Sequence, residues 1–175
     1  MVFVKESVNL ADNAGFTPLD YAAEYDNPDS TRFLLDNGAT INKCTIFQAC
    51  RGKENYRCIK ILHEKGADIN ALVEDNRYYN AAINPLHHAA GWGNYNAIDI
   101  LISLGANPDI KSGEGKTPAE FALAHNHPNI AYDIPVIAKQ YQTDLEKRRG
   151  MVYQTLFKNG SIPIVVIMII QGYVK

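Results

Sequence analysis

The sequence predicts an all-α fold, a solenoid of helix-turn-helix repeats with projecting β-turn fingers and a helical cap at the C-terminus. The first observation is a set of four segments that align with one another, starting near residues 17, 45, 84 and 117. The second is a Gly-Ala pair 21 residues after each of the first three starts, at Gly38, Gly66 and Gly105. A constant interval indicates a repeated structural unit. We expect a repeat array over residues 1–134, with a partial N-terminal repeat, and a helical cap or tail over residues 135–175.

Composition places the chain among ordinary globular proteins. Of its 175 residues, 46% are hydrophobic and 21% are charged, so a core can form without metals or disulfides. A net charge of -2 provides no basic field, which argues against nucleic acid as a partner.

Cysteine usage and hydropathy indicate the compartment. Cys44, Cys50 and Cys58 form no Cys-x-x-Cys pair, and an odd number of cysteines suits a reducing environment. The longest apolar run, residues 162–170, is far shorter than the ~20 residues that a membrane-spanning helix needs. We expect an intracellular, cytoplasmic protein without membrane contact, or one in a host cytoplasm if it is a secreted or viral effector.

The first helix of each repeat begins at a capping residue. "TPLDYAA", "NPLHHAA" and "TPAEFA" open with Thr or Asn, whose side chain caps a helix, followed by a proline suited to the first helical position. Small residues follow at Ala22-Ala23, Ala49 and Ala89-Ala90, which predicts close approach of a second helix.

That second helix carries aliphatic side chains and ends at a glycine. The apolar groups are Phe33 to Leu35, Ile59 to Leu62 and Ile98 to Ile102. Glycine provides the left-handed conformation that closes many helices. An extended "ATIN", "ADIN" or "ANPD" segment then leads into a turn.

These motifs resemble the ankyrin repeat over about three quarters of the chain, roughly from Val8 to Ile134. The resemblance implies a helix pair with a β-turn finger in each repeat, and a non-enzymatic module that binds a protein partner through its concave groove and turn tips. It implies no cofactor and no metal. The connector after Asn42 is about five residues shorter than the usual ~33-residue spacing, and the connector after Asn70 is about six longer. One finger is therefore nearly deleted and the next is enlarged.

Histidines are the residues that first suggest chemistry. His87 occupies the histidine of the T-P-L-H signature, where the resemblance implies a hydrogen bond to the neighbouring turn. His88 lies beside it, and adjacent helical side chains diverge by ~100°, which makes a poor chelating pair. His125 and His127 lie around the turn of the fourth repeat. We expect a structural role for His87, His88 and His127, and a chain without catalytic or metal-ligating residues.

Trp92, the chain's one tryptophan, is the strongest candidate for a recognition residue. The resemblance implies that its place at the end of a first helix faces the concave groove; packing against the neighbouring repeat is the alternative. Tryptophan, tyrosine and arginine dominate the energetics of protein interfaces. The same repeat position, the turn tips and the enlarged finger supply the other candidates: Phe16, Tyr25, Arg77, Tyr78, Tyr79, Lys116 and His125.

The tail departs from the repeat pattern. Pro135 is expected to interrupt the fourth repeat's second helix, and a longer amphipathic helix is expected to follow it. Residues 161–175 weakly resemble the opening helix of an F-box. That resemblance implies an alternative function, a substrate adaptor that docks onto components of a ubiquitin ligase. The corresponding residues are Ile162, Pro163, Val166, Ile167, Ile170 and Tyr173. A plain apolar capping segment is the competing interpretation.

Overall fold

The computed structural model describes residues 7–51, 56–75 and 79–157, with the backbone alone at 75, 79–80 and 152–157. Short helices in pairs make up most of the array. They are α1 (Pro18–Glu24), α2 (Pro28–Asp36), α3 (Thr45–Ala49), α4 (Arg57–Glu64), α5 (Pro85–Gly91), α6 (Tyr95–Ser103), α7 (Pro118–Ala124) and α8 (Pro128–Phe157). Two strands, β1 (Val73–Asp75) and β2 (Tyr79–Ile83), lie between α4 and α5. The structure is mostly helical, which confirms the predicted class.

The helix pairs stack in register along the array. The first helices α1 and α3 pack on each other, as do α5 and α7, and the second helices form the row α2, α4 and α6. The core lies between these rows, where Leu19, Ile59, Leu86, Ile98 and Leu101 are fully buried. Burying side chains of this size contributes about 1.5–3 kcal/mol each. The aliphatic pattern of the second helices therefore forms the core of the stack.

Capping residues define the helix starts, as the sequence predicts. Thr17, Asn84 and Thr117 each form a capping box with the third residue of the helix, and a proline follows each one. The second repeat is different. Its helix α3 begins at Thr45 itself, and the carboxamide oxygen of Asn42 accepts hydrogen bonds from the backbone N–H groups of Cys44 (2.7 Å) and Thr45 (3.1 Å). The shortened connector thus leads directly into the helix.

Two carboxylates of the first repeat contact the helix starts of the second repeat. The carboxylate of Asp20, buried in α1, accepts hydrogen bonds from Asn42 Nδ2 (2.9 Å) and Thr45 Oγ1 (2.7 Å). The carboxylate of Asp26 accepts from the backbone N–H of Cys58 (2.9 Å) and from Arg57 Nε (2.8 Å), both in the first turn of α4. The first repeat therefore holds the starts of both helices of the second.

The enlarged finger is a β-hairpin. Val73 pairs with Ile83 and Asp75 with Tyr79 in antiparallel register, with an irregularity between the two pairs. On the other side of β2, the backbone N–H of Gly113 donates to the carbonyl of Ala82 at 2.7 Å. The hairpin is therefore attached to the finger that follows it.

The predicted interruption at Pro135 is wrong. The helix α8 runs through it from Pro128 to Phe157, over 30 residues. Pro135 is exposed, so its ring is not forced against the core of the array. The chain divides within this helix into two compact units, residues 1–138 and residues 139–175.

In the described part of α8, the apolar residues of the expected amphipathic helix are only partly buried. Val136 and Leu145 are each about half exposed, while Ile137 and Tyr141 are half-buried. Within the described ranges, no helix is long and apolar enough to cross a membrane.

Candidate functional site

Trp92 lies at the C-terminal end of α5, where hydrogen bonds from its backbone and indole N–H groups hold it. Its backbone N–H donates to the carbonyl of His88, closing the last turn of the helix. Its indole Nε1–H donates to Nε2 of His88 at 3.1 Å. With 46% of its surface exposed, the indole is a large apolar group with a fixed orientation.

His88 provides a neutral acceptor beneath the indole. The ring is fully buried and makes an edge-to-face contact with Phe47, with centroids 5.2 Å apart. Burial, with a smaller effect from the charge of Arg51, lowers the pKa of His88 from 6.5 to about 3. Because the indole nitrogen can only donate, Nε2 is the unprotonated nitrogen of a neutral ring at pH 7. His88 is therefore a core residue, in keeping with the structural role expected for it. Its hydrogen bond also orients Trp92.

Arg51 covers the exposed indole. Its guanidinium carbon lies 5.3 Å from the ring centroid of Trp92, within the range of a cation–π contact. Its Nη1 also forms an ion pair of 3.1 Å with Oε1 of Glu24. We call Glu24, Arg51, His88 and Trp92 the Trp92 cluster. The cluster connects the C-terminal ends of α1, α3 and α5, the first helices of the repeats that begin at residues 17, 45 and 84.

Sequence reasoning missed Arg51. Counted from the repeat start, it occupies the place of Ala23 and Ala90, so a long cation in a small-residue position was the available signal. Its contact with Trp92 depends on how two repeats stack. No spacing within a single repeat predicts such a contact.

His87 has the structural role that the resemblance implies. Its Nε2–H donates to the carbonyl of Lys116 in the next finger, at 2.9 Å. Burial lowers the pKa of His87, which keeps the ring neutral near pH 7. The ring of Phe121 meets it edge-to-face, with centroids 5.6 Å apart.

Phe16 and Tyr25 lie at opposite ends of α1. Phe16 is half-buried and meets Tyr21 edge-to-face, with centroids 6.0 Å apart. Tyr25 is 77% exposed and, with Tyr21 and Phe33, lines a cleft of about 470 Å³. The contacts that hold Trp92 involve Arg51 and His88, so Tyr25 and Trp92 belong to different local environments.

The remaining candidates are distributed over the fingers and the last repeat. His125 stacks on Phe121 with centroids 4.3 Å apart, and its Nδ1–H donates to that residue's carbonyl. Lys116 pairs with Glu114 through its ammonium group at 2.8 Å. Arg77 and Tyr78 lie outside the described residues, as does the side chain of Tyr79. The segment 161–175, with its ligase-docking candidates, also lies outside them.

The cysteines have the surroundings of core residues. Cys44, Cys50 and Cys58 are buried, and none of them is in a disulfide. Burial raises the pKa of Cys58 to about 11 and also raises that of Cys50, so both thiols stay protonated at pH 7. Across residues 7–51, 56–75 and 79–157, no three His, Cys, Asp or Glu side chains form a group that could hold a metal ion.

This architecture defines a class of protein, the helical repeat array that works by protein interaction. The family described as "Ankyrin repeats (3 copies)" matches residues 46–132, and the family described as "Ankyrin repeat" matches residues 14–46. The chain belongs to the ankyrin-repeat family, whose repeats are protein-interaction modules.

Similar proteins come from several kingdoms. "Putative E3 ubiquitin-protein ligase XBAT35" of Arabidopsis thaliana is 32% identical over 61% of this chain and 23% of its own length. "Putative ankyrin repeat protein FPV034" of Fowlpox virus is 32% identical over 59% of this chain and 24% of its own. "Probable 26S proteasome regulatory subunit p28" of Saccharomyces cerevisiae is 29% identical over 90% of this chain and 71% of its own. The chain spans about a quarter of the first two relatives.

Proposed function

We propose that the chain binds its protein partner across the Trp92 cluster, and acts by binding rather than by catalysis. The observation that supports this most directly is the half-exposed indole of Trp92, held from below by His88 and covered by Arg51. A rigid aromatic ring loses little conformational entropy when it is buried by a partner. Tryptophan and arginine are also the residues most enriched among interface hot spots.

The charged groups of the Trp92 cluster determine which polar group a partner must present. Arg51 contacts both Trp92 and Glu24, so a partner that covers the indole also displaces water from this ion pair. Leaving a charged group buried without a partner is costly. A matching partner therefore presents an apolar group to the indole and a hydrogen-bond acceptor to the guanidinium.

The other predicted contact residues remain part of this proposal. Phe16 and Lys116 each directly precede a helix-capping residue, and His125 occupies the position of Trp92 in the last repeat. Arg77, Tyr78 and Tyr79 belong to the connector that carries the hairpin. Fingers of unequal length give a repeat array a distinct binding face.

A second candidate function is that of a ubiquitin-ligase adaptor. The names of two similar proteins, a ubiquitin-protein ligase and a proteasome subunit, favour this system. Segment 161–175 would dock to the ligase, and the array would hold the substrate. Ligase components should co-purify with the full chain and be lost from a chain that ends at Asn159. Equal recovery from both chains rejects the adaptor function.

The proposed setting is intracellular, and three buried cysteines without a disulfide support it. The binding surface is tested by measuring affinity for a partner obtained by affinity purification and mass spectrometry. Trp92→Ala should weaken binding by about 2 kcal/mol or more while the thermal midpoint stays near that of the parent. Unchanged affinity removes Trp92 from the interface, and an unfolded variant assigns it to the core.

A further inference from the structure

The fingers form a row in which one position has no finger. Within that row, β2 is bonded on one side to β1 and on the other to the backbone N–H of Gly113. The position beyond β1 belongs to the connector between Asn42 and Thr45, which consists of Lys43 and Cys44 alone. In the part of the chain that the structure describes, β1 therefore has an outer edge with no strand beside it.

A cleft of about 580 Å³ opens next to this connector. Ile46, Phe47 and Val73 are buried residues that contribute to its apolar lining. The cleft lies between this connector and the start of the enlarged finger, because its lining includes residues 39–43 on one side and residues 65–68, 71 and 73 on the other. Its size is in the usual range for sites that receive a ligand group.

The charges around the cleft are unequal. Lys43 and Lys65 line it together with one acidic residue, Asp68. The carboxylate of Asp68 accepts a hydrogen bond from the backbone N–H of Asn70 at 2.8 Å. Lys65 pairs with Asp36 at 3.4 Å, but both side chains are largely exposed, and such pairs contribute little. Because β1 itself carries Glu74 and Asp75, the preference for an acidic group is confined to the end of the cleft at Lys43.

We propose that this cleft binds an extended segment of a partner protein, which takes the place of the shortened finger. The segment pairs its backbone with the outer edge of β1 and places an aliphatic side chain between Ile46 and Val73. An acidic side chain of the same segment lies beside Lys43. This site goes beyond the Trp92 surface and does not depend on it.

The outer edge of β1 explains why the bound segment should be extended. An unpaired strand edge presents N–H and C=O groups that another extended chain satisfies, whereas a helix has already used its own. The array itself shows the geometry, since Gly113 continues the row on the other side by one backbone bond. Side chains two positions apart point to the same side of a strand, so the aliphatic and acidic residues are expected at that spacing.

The test selects displayed random short peptides on the immobilised full chain. The selected peptides should share an aliphatic and an acidic residue two positions apart. Ala71→Phe, which fills the cleft, and Lys43→Glu, which reverses its charge, should each weaken binding about tenfold. N-methylation of the peptide backbone should weaken it to a similar extent, because it removes the pairing donors.

Matched controls separate this site from other surfaces. Trp92→Ala and Lys111→Glu, both changes at exposed positions elsewhere, should leave peptide binding unchanged. Lys43 is exposed, so Lys43→Glu should keep the thermal midpoint of the parent. It therefore still tests the site if Ala71→Phe lowers that midpoint. The proposal is overturned if none of the selected peptides depends on Lys43, or if Trp92→Ala abolishes their binding. A dimer in sedimentation that Ala71→Phe dissociates, with no peptide bound, assigns the cleft to a second copy instead.

Discussion

Asp20 and Thr45 lie in successive repeats, and the hydroxyl of Thr45 donates a 2.7 Å hydrogen bond to Oδ1 of Asp20. The same buried carboxylate accepts from Asn42 Nδ2 at 2.9 Å. The chain can therefore enter α3 directly after Asn42, without a finger. This relationship links the shortened connector to a specific network, and it makes the first repeat depend on the second.

Removing this carboxylate should destabilise the array strongly. Asp20→Ala leaves the donors of Thr17, Asn42 and Thr45 without their common acceptor, which costs roughly 3 kcal/mol or more. Glu120→Ala is the matched control, because Glu120 holds the same repeat position but is exposed and accepts only within its own capping box. That change should cost about 1 kcal/mol or less. Equal losses on chemical denaturation would show that the cross-repeat network contributes nothing.

His88 should make the stability of the array depend on pH. Its pKa is about 3 in the folded chain and 6.5 in a model compound, so below pH 6.5 the unfolded state binds a proton that the folded state does not. This contribution is complete above pH 6.5 and is lost as the pH falls towards 3, by at most about 1.4 kcal/mol per pH unit.

The test compares the parent with His88→Phe, which keeps an aromatic ring but cannot titrate or accept the indole hydrogen bond. The variant should show a smaller loss of stability between pH 6.5 and 4 than the parent. Its Trp92 emission should also be quenched more readily by acrylamide, since the ring is no longer held. Parallel pH profiles would contradict the neutral, buried state of His88.

Gly93 should tolerate no side chain. Its φ is +73°, and a Cβ there would lie 2.7 Å from Cε1 of His127. Gly93→Ala should cost roughly 2–4 kcal/mol from backbone strain and overpacking together. Gly38→Ala has a φ of +91° but nothing within 4 Å, so it should show the strain alone, ~1–2 kcal/mol. A second change, His127→Ala, should recover part of the Gly93→Ala loss; no recovery would reject the clash.

Gly113 should be needed for the contact between two fingers. An added Cβ would lie 3.0 Å from the backbone nitrogen of Ala82, whose carbonyl accepts from Gly113. Gly113→Ala should therefore speed amide exchange at residue 113 and cost about 1 kcal/mol. At Gly150, within α8, a Cβ meets nothing within 4 Å, so Gly150→Ala should instead stabilise the helix by up to ~1 kcal/mol. Unchanged amide exchange at residue 113 would show that Gly113 is not needed for the contact between the fingers.

Local signals in the sequence predicted most of the array. The Thr-Pro and Asn-Pro starts form the capping boxes at Thr17, Asn84 and Thr117, since a cap is set by residues three positions apart. Gly38, Gly66 and Gly105 end their helices with positive φ for the same local reason. The bond of His87 to the next finger followed from the family resemblance rather than from spacing.

Features that depend on packing or exposure were not predictable in this way. Pro135 was expected to break a helix, yet its exposed ring is accommodated within α8. The place of Arg51 over Trp92 depends on the stacking of two repeats, and the cap of α3 comes from Asn42 because a finger is missing. The roles predicted for Arg77, Tyr78 and segment 161–175 stay predictions.

The central claim is that Trp92 forms the partner-binding surface, and one measurement tests it most directly. Proteins captured by the parent chain, by Trp92→Ala and by Tyr132→Ala would be quantified by mass spectrometry under equal loading. Tyr132 is the matched control, an aromatic residue on α8 that is 76% exposed. We predict that the proteins enriched on the parent are lost from Trp92→Ala and kept by Tyr132→Ala, with all three chains equally stable. Equal capture by a folded Trp92→Ala chain would contradict the claim.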